Sequence, residues 1–514
     1  MSTSSDRPNL FGPRDTTIVS VLAERTDTTP NAIAIDAGAD VLTFAQLTRA
    51  SERFAYVLIE RGVCPGDRVA IWLPNGTTWA IVQHAIALVG AECVLVSTRA
   101  TAREAEYIFR NSGVRTVVAA ASFMNRQYAD EVAQLLSSDN SSSIISVGLL
   151  SHEIPEPLKR HSLTGCSADR PAVWAYTSGT TGVPKATPLT HRVWTNNAAL
   201  TAATWGLSVE DRVYSACPLF FAFGSMTAMM GAIASGASFH TSSVFSVPSV
   251  LDRIRATRTT WFVGVPTMWT DLLDAIVPGE LPYLRGGTWG GGPFPTNALA
   301  KAVDPDLHGL NLTAIYGMTE APSIAVISGH DPIAKRLTSV GRAGPLIDLR
   351  IVDEKGAEVP TGMIGQVVTR GYHTTAGYLD NEAETAKLYF GGWLQTGDLG
   401  SLDRDGYLSI TGRLTDMILV GGSNVYAREV EDVILNLNGV QRAAVIGMPH
   451  KRLGEIPIAW VQCETRTIDE EVVLTECRRH LAKYKVPAKV HIVPAMPMTA
   501  TGKINKAVLK GMGS

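Results

Sequence analysis

"PAVWAYTSGTTGVPK", residues 171 to 185, reads as a short strand that empties into a loop. The β-branched and aromatic residues of "PAVWAYTS" favour extended chain. Gly179 and Gly182 then let the backbone turn its N–H groups inward, making a concavity suited to an anion. Thr177, Ser178, Thr180 and Thr181 add hydroxyl donors, and Lys185 adds a positive charge. The spacing is not the ordinary nucleotide-loop pattern, which wants a glycine, four spacers, then Gly-Lys-Ser/Thr. Downstream, Thr190 in "PLTHRVWTNNAAL" stands where a helix cap would. A strand, a loop of glycines and hydroxyls, and a capped helix predict an α/β setting with a phosphate-holding turn. A plain surface loop is the competing reading.

Working outward, "DRVAIWLP" (67–74) and "RTVVAAAS" (115–122) read as further strands separated by helical patterns. This alternation predicts an α/β architecture with largely parallel sheets. "AIVQHAIALVGAECVLV" (80–96) carries Gln83, His84 and Glu92 and is too short for a membrane span, so it reads as a buried helix running into a strand. The polar stretch 136–168 reads as a connection between subdomains. The character changes near residue 413. In "GRLTDMILVGGSNVYAREVEDVILNL", Val430, Val433, Ile434 and Leu437 fall on one helical stripe. The expected organisation is a flexible tail over 1–15, a large domain over 16–413 and a small α+β domain over 414–514.

The 514 residues are 45% hydrophobic and 18% charged, which excludes a disordered chain and implies more than one domain. A net charge of -3 gives no general attraction to nucleic acid. Cys64, Cys93, Cys166, Cys217, Cys463 and Cys477 are scattered, without the spacing of a zinc site or a disulfide framework. "MSTSSDRPNLFGPRD" lacks the apolar core of a secretory signal, so the expectation is a cytoplasmic protein with reduced thiols.

Further stretches offer chemistry. In "IYGMTE" (315–320), Tyr316 can stack on a flat base, Thr319 can touch phosphate, and Glu320 offers a hard oxygen ligand suited to Mg²⁺. "WLQTGDLG" (393–400) holds Asp398, a carboxylate able to accept from ribose hydroxyls, and "GRLTD" brings Arg413. "MTATGKINK" (498–506) carries Lys503 on a glycine-containing loop. Each has an ordinary explanation alone: a core tyrosine, a capping carboxylate, a surface ion pair, a solvated lysine.

In this order, however, the motifs resemble those of the superfamily of adenylate-forming enzymes, and in particular its acyl-CoA synthetase, or acid–CoA ligase, branch. The likeness runs from "LTFAQL" (42–47) to "TGKINK" (501–506). It implies an enzyme that joins a carboxylic acid to ATP, releases pyrophosphate, and passes the acyl group of the adenylate to coenzyme A. The loop Thr177, Ser178, Gly179, Thr180, Thr181, Gly182 and Lys185 would grip the departing phosphates, with Thr180 and Glu320 holding Mg²⁺. Tyr316, Gly317, Thr319 and the backbone of Gly291 and Gly292 would flank the nucleotide, while Asp398 and Arg413 fix the ribose. Lys503 would bridge the carboxylate and the α-phosphate. The acyl group would lie among Phe221, Ala222, Trp289, Gly290 and Gly317. The small domain would be mobile about Thr415, exchanging Lys503 for the face bearing Gly421, Gly422 and Ser423, past which a pantetheine thiol arrives.

The chain departs from the family pattern at several places. Ala186 and Thr187 follow Lys185 where glycine is common, and Phe221 stands where many members carry histidine. Thr415 replaces a charged hinge residue, Ala427 a proline, and Met498 an arginine. "PLFFAFGSMTAMMGAIASG" (218–236) has no acidic residue, which argues against an amino-acid substrate. The glycines of "TWGGGPFP" (288–295) leave room for a bulky apolar acid, aryl or polycyclic. Three readings stay open: a complete acid–CoA ligase, an enzyme that only adenylates and hands its product to a carrier protein or partner enzyme, and a non-catalytic ATP-binding relative.

Overall fold

The computed structural model describes residues 14–136, 143–153, 155–163, 166–178, 184–463, 468–498 and 504–512. Within these, the strands assemble into four sheets. "PAVWAYTS" is the strand Pro171–Ser178, in a six-stranded sheet with Ser143–Val147, Thr116–Ala120, Arg68–Trp72, Glu92–Leu95 and Pro184–Thr190. It runs parallel to Glu92–Leu95 and antiparallel to Pro184–Thr190.

This corrects the expected order of strand, loop and helix. A second strand, Pro184–Thr190, intervenes before the helix His191–Trp205, so residues 179–183 join two antiparallel strands. Pro184 and Pro188 conceal it in the sequence. They are tolerated because the strand lies at the sheet's edge, where a missing N–H costs no ladder bond. Thr190 nonetheless caps the helix, its hydroxyl accepting from the Val193 N–H at 3.2 Å. The stretch 136–168 is likewise more than a connection. "SIISV" forms the opposite edge strand Ser143–Val147, parallel to Thr116–Ala120, with Ile145 and Val147 buried. The apolar run at 80–96 folds as the helix Thr77–Val89 and the strand Glu92–Leu95, both almost wholly buried.

A nine-stranded sheet forms the second layer. Its inner strands Ile33–Asp36, Ser238–Thr241, Arg212–Ser215, Trp261–Gly264, Gly286–Gly290 and Asn311–Met318 are mutually parallel. "WFVG" at 261–264 is buried along its whole length, as parallel strands covered on both faces require. Parallel pairing brings the carboxyl ends of these strands to one edge of the sheet, the edge where open α/β sheets bind ligands.

The third sheet holds Ile347–Val352, Gly365–Gly371, Trp393–Leu402, Tyr389–Phe390 and Leu408–Arg413. Its last strand ends at Arg413, and the fourth sheet begins at Met417, with the 3-10 turn Leu414–Asp416 between them. The fourth sheet comprises Ser423–Tyr426, Met417–Val420, Gly454–Cys463, Val440–His450 and Lys489–Val493. The helix Ala427–Leu435 covers it with Val430 and Ile434, and Leu437 joins the same apolar cluster from beyond the helix end. Among the described residues no helix is long and apolar enough to cross a membrane.

Candidate active site

The carboxyl ends of three of the parallel strands carry the candidate residues of the nine-stranded sheet. Ala216 to Phe221 follow Arg212–Ser215, Gly291 and Gly292 follow Gly286–Gly290, and Tyr316 to Glu320 end Asn311–Met318. The six-stranded sheet delivers Thr177, and the third sheet delivers Asp398 and Arg413. The candidate site therefore lies where three sheets meet.

Glu320 is at the junction. It is only 5% exposed, and its Oε1 accepts from the Tyr378 hydroxyl at 2.7 Å and from Thr177 Oγ1 at 3.4 Å. Burial, and then the charge of Glu320, push the Tyr378 phenol far above its ordinary range, so Tyr378 stays protonated and donates. Among the described residues no basic side chain pairs with Glu320. A buried carboxylate without a counter-ion is a favourable place for a cation. The same residues contain no cluster of three or more metal-ligating groups. One buried carboxylate beside Thr177 suits Mg²⁺, which is commonly held by one or two carboxylates plus substrate phosphates.

Lys185 belongs to the same neighbourhood, with its ammonium 5.1 Å from the centre of the Tyr378 ring. Its charge is already paired with Glu384, whose carboxyl Lys185, and then Lys387, hold down at about 2. The lysine is thus less a free phosphate cation than its sequence position implies. Tyr378 and Glu384 escaped the sequence reading because no motif announces them, and 199 residues separate Glu384 from Lys185.

A second junction joins Tyr316, Asp398 and Arg413. The Tyr316 hydroxyl donates to Asp398 Oδ2 at 2.7 Å, and Arg413 Nε donates to Asp398 Oδ1 at 3.1 Å. Asp398 and Arg413 also face each other in register across adjacent strands. Burial, and then the Asp398 charge, raise the Tyr316 phenol well above its usual value, fixing it as a donor. Its hydroxyl is thereby anchored, which holds the ring in one plane. Gly317 must lack a side chain, since a Cβ there would lie 2.6 Å from the backbone N of Ser323 in the returning strand. Thr319 is half-buried in the intervening turn.

The glycines at 290–292 divide. Gly291 takes φ +82°, and a Cβ there or on Gly292 would meet nothing closer than Val265 at 3.8 Å and Pro266 at 4.0 Å. This stretch of backbone is open to a flat ligand. Gly290 differs: a Cβ would sit 2.8 Å from Ile315 and 3.0 Å from Phe223. The room expected there is filled by those two side chains. Trp289, one residue earlier on the strand, points to the other face. It packs against Phe294 with ring centres 5.5 Å apart, inside an apolar cluster that contains neither Phe221 nor Gly290. Phe221 and Ala222 are half-buried at the start of a π-helix, Phe223–Met230, a wide turn often found at functional sites. Phe223, against Gly290, is an aromatic neighbour that the sequence did not single out.

In the small domain, Gly421 and Gly422 form the two-residue turn of the hairpin Met417–Val420 and Ser423–Tyr426. Their φ values of +58° and +86° are those of a type I′ turn, which by itself accounts for both glycines. Ser423 is exposed beside them, and Thr415 is exposed in the turn Leu414–Asp416. Gly179, Thr180, Thr181, Gly182 and Lys503 lie outside the described residues, as does the side chain of Ser178.

Comparison with known proteins agrees with this geometry. Residues 22–379 match the model of the AMP-binding enzyme family, and residues 429–503 match that of the AMP-binding enzyme C-terminal domain. A methyl-dioxo-octahydro-indenyl propanoyl:CoA ligase of Mycobacterium tuberculosis is 34% identical, over 92% of this chain and 94% of the relative. A feruloyl-CoA synthase of Amycolatopsis is 31% identical, over 94% and 96% respectively. The solved structure of o-succinylbenzoate CoA synthetase from Bacillus subtilis, with its acyl-adenylate bound, superposes with a TM-score of 0.85. It is 30% identical, with 96% of this chain and 98% of that one covered.

Proposed function

This chain belongs to the family of AMP-binding enzymes, and from that premise we propose that it is an AMP-forming acid–CoA ligase for a bulky aryl or polycyclic carboxylic acid. The observation that carries the reading is the meeting of Thr177, Glu320 and Tyr378 beside the Tyr316–Asp398–Arg413 group. One junction suits a phosphate-bound cation and the other a ribose. The relatives named above, whose acids are bicyclic or aryl, support the substrate class.

In the first step the carboxylate of the acid attacks the α-phosphorus of ATP. An acyl–phosphorus anhydride bond forms, and the bond to pyrophosphate breaks. In the second step the thiol of CoA attacks the acyl carbonyl, a thioester forms, AMP leaves, and the thiol proton passes to solvent. No protein nucleophile is needed; the residues position reactants and compensate charge. Glu320 with Thr180 would hold Mg²⁺, which screens the phosphate charge when bound. Asp398 has lone pairs left for the ribose hydroxyls after accepting from Tyr316 and Arg413. Asp398→Asn is expected to raise the KM for ATP by about tenfold, because an amide places an N–H where an acceptor is required. Initial rates of pyrophosphate release against ATP concentration measure this.

The substrate class is tested by kcat/KM for acetate, octanoate, benzoate and a polycyclic acid, read by pyrophosphate release and by the mass of the thioester. Aryl and polycyclic acids should lead, and a clear preference for acetate overturns the assignment. Phe223→Ala should shift the preference toward the larger acids by removing the ring that stands against Gly290. An unchanged ranking would separate Phe223 from the acyl pocket. Pyrophosphate release without any thioester product would select the reading in which the adenylate goes to another acceptor.

A further inference from the structure

Lys185 and Glu384 come from different parts of the fold. Lys185 stands on the edge strand Pro184–Thr190 of the six-stranded sheet, and Glu384 on the helix Glu382–Leu388, which leads into the third sheet. The chain before that helix is pinned to the strand. The Leu379 N–H donates to the Ala186 carbonyl at 3.0 Å, and Thr375 Oγ1 donates to the Pro188 carbonyl at 2.9 Å. At the helix start, Asn381 Oδ1 accepts the Glu384 N–H at 3.1 Å. Glu384 is therefore held beside Lys185 by anchors on its own segment, not by the ion pair alone. Its carboxylate oxygens are divided: Oε2 accepts from Lys185 Nζ, and Oε1 accepts from Lys387 Nζ at 2.7 Å. The side chains of Lys185 and Glu384 are 12% and 20% exposed, so salt screens their pairing little, whereas Lys387 is 72% exposed. The Lys185 ammonium also lies 5.1 Å from the centre of the Tyr378 ring, whose hydroxyl is bonded to Glu320 at 2.7 Å. One ring thus separates the paired lysine from the carboxylate suited to Mg²⁺.

We propose that Glu384 competes with phosphate for Lys185: it yields the lysine to ATP, with Lys387 retaining the displaced carboxylate, and reclaims it as pyrophosphate leaves. The assignment rests on the reading of Lys185 as a contact of the departing phosphates. An ammonium is a point charge with three donors on a flexible stem, so it can pass from a carboxylate to a phosphate oxygen without a change of backbone. A lysine with no competitor would hold the product as firmly as the substrate. A carboxylate tethered within bonding reach weakens both contacts, and release of pyrophosphate gains. Uniform binding of substrate lowers KM without raising kcat, so weakening it costs the enzyme little at saturating ATP. Glu384 is thus a positioning residue that acts through Lys185.

The experiment measures the KM for ATP and the KM for pyrophosphate in acid-dependent ATP–pyrophosphate exchange. It compares the wild type with Glu384→Gln, Lys387→Ala, Lys185→Ala and the Lys185→Ala/Glu384→Gln double variant. Glu384→Gln keeps the shape but leaves Lys185 only a neutral acceptor. Both KM values should therefore fall by about fivefold, the gap between a charge-assisted and a neutral hydrogen bond. Lys387→Ala leaves the carboxylate to Lys185 alone, so both should rise by about twofold, the scale of an exposed ion pair. In the Lys185→Ala background, Glu384→Gln should change neither. A loosened helix would not shift the constants in opposite directions for two neighbouring substitutions. Unchanged KM values in Glu384→Gln, or a fall in Lys387→Ala as well, overturn the proposal. So does an equal fall in the Lys185→Ala background, which would mark a general effect of charge. A wild type without acid-dependent exchange overturns the ATP reading beneath it.

Discussion

Lys503→Ala is expected to lower acid-dependent pyrophosphate exchange on the order of a hundredfold or more, the cost of removing a cation from the charge that builds in the transition state. The segment that carries it is anchored on both sides. Met498 and Ile504 form an antiparallel bridge, and the Asn505 N–H donates to the Pro497 carbonyl at 2.7 Å. Ile504 packs with Met496, Trp460 and Leu509. Lys506 bonds to Asp416 at 3.1 Å and to Glu431 at 2.8 Å, tying the end of the chain to the turn that contains Thr415. Rotation about that turn would carry the residues on either side of Lys503 together with the small domain. The same substitution should therefore spare the second step: supplied with pre-formed acyl-adenylate and CoA, the variant should make thioester at nearly the wild-type rate. Equal loss in both steps, or an unaltered exchange rate, would remove Lys503 from the adenylation role, and a wild type without any exchange would revive the non-catalytic reading.

Glu320→Gln carries the second large effect. The amide keeps the shape of the side chain and an oxygen able to accept from Tyr378, so the change isolates charge from packing. Loss of the one buried carboxylate at the junction should reduce kcat/KM for adenylation by about a hundredfold and raise the Mg²⁺ concentration needed for half-maximal rate. Tyr378→Phe leaves the charge but removes the 2.7 Å hydrogen bond that orients it. Its cost should be nearer about tenfold, the worth of one hydrogen bond to a charged group. Pyrophosphate exchange titrated with MgCl₂ distinguishes the two variants. A Glu320→Gln enzyme with the wild-type magnesium profile would detach this carboxylate from the metal.

Much of the site was legible along the chain because its pieces are local. "IYGMTE" and "WLQTGDLG" each place their reactive groups within a few residues, and strand or helix character follows from side-chain spacing that a short window contains. The misses share a physical cause. The strand Pro184–Thr190 hides behind two prolines that only an edge position excuses. Ser143–Val147 hides among serines, and its membership of a sheet depends on a partner, Thr116–Ala120, far behind it in the chain. Gly290 looked like vacant space, yet the space belongs to Phe223 and Ile315. Trp289 lies on the opposite side of its strand from Gly290, because a one-residue step along a strand reverses the side a group faces.

The sequence alone established that this is an α/β chain with the motifs of an adenylate-forming enzyme, and it offered a candidate phosphate loop, candidate carboxylates and a candidate lysine near its end. Those features are written in composition and short-range order, which survive without a fold. Only the tertiary structure decided which groups answer one another: Tyr378 and Thr177 at Glu320, Glu384 at Lys185, Tyr316 and Arg413 at Asp398, Leu453 at Gly421. Most of these pairings join distant parts of the chain, because sheet assembly brings strand ends together irrespective of their separation in sequence. The charge state of a buried group depends on those neighbours rather than on its own kind.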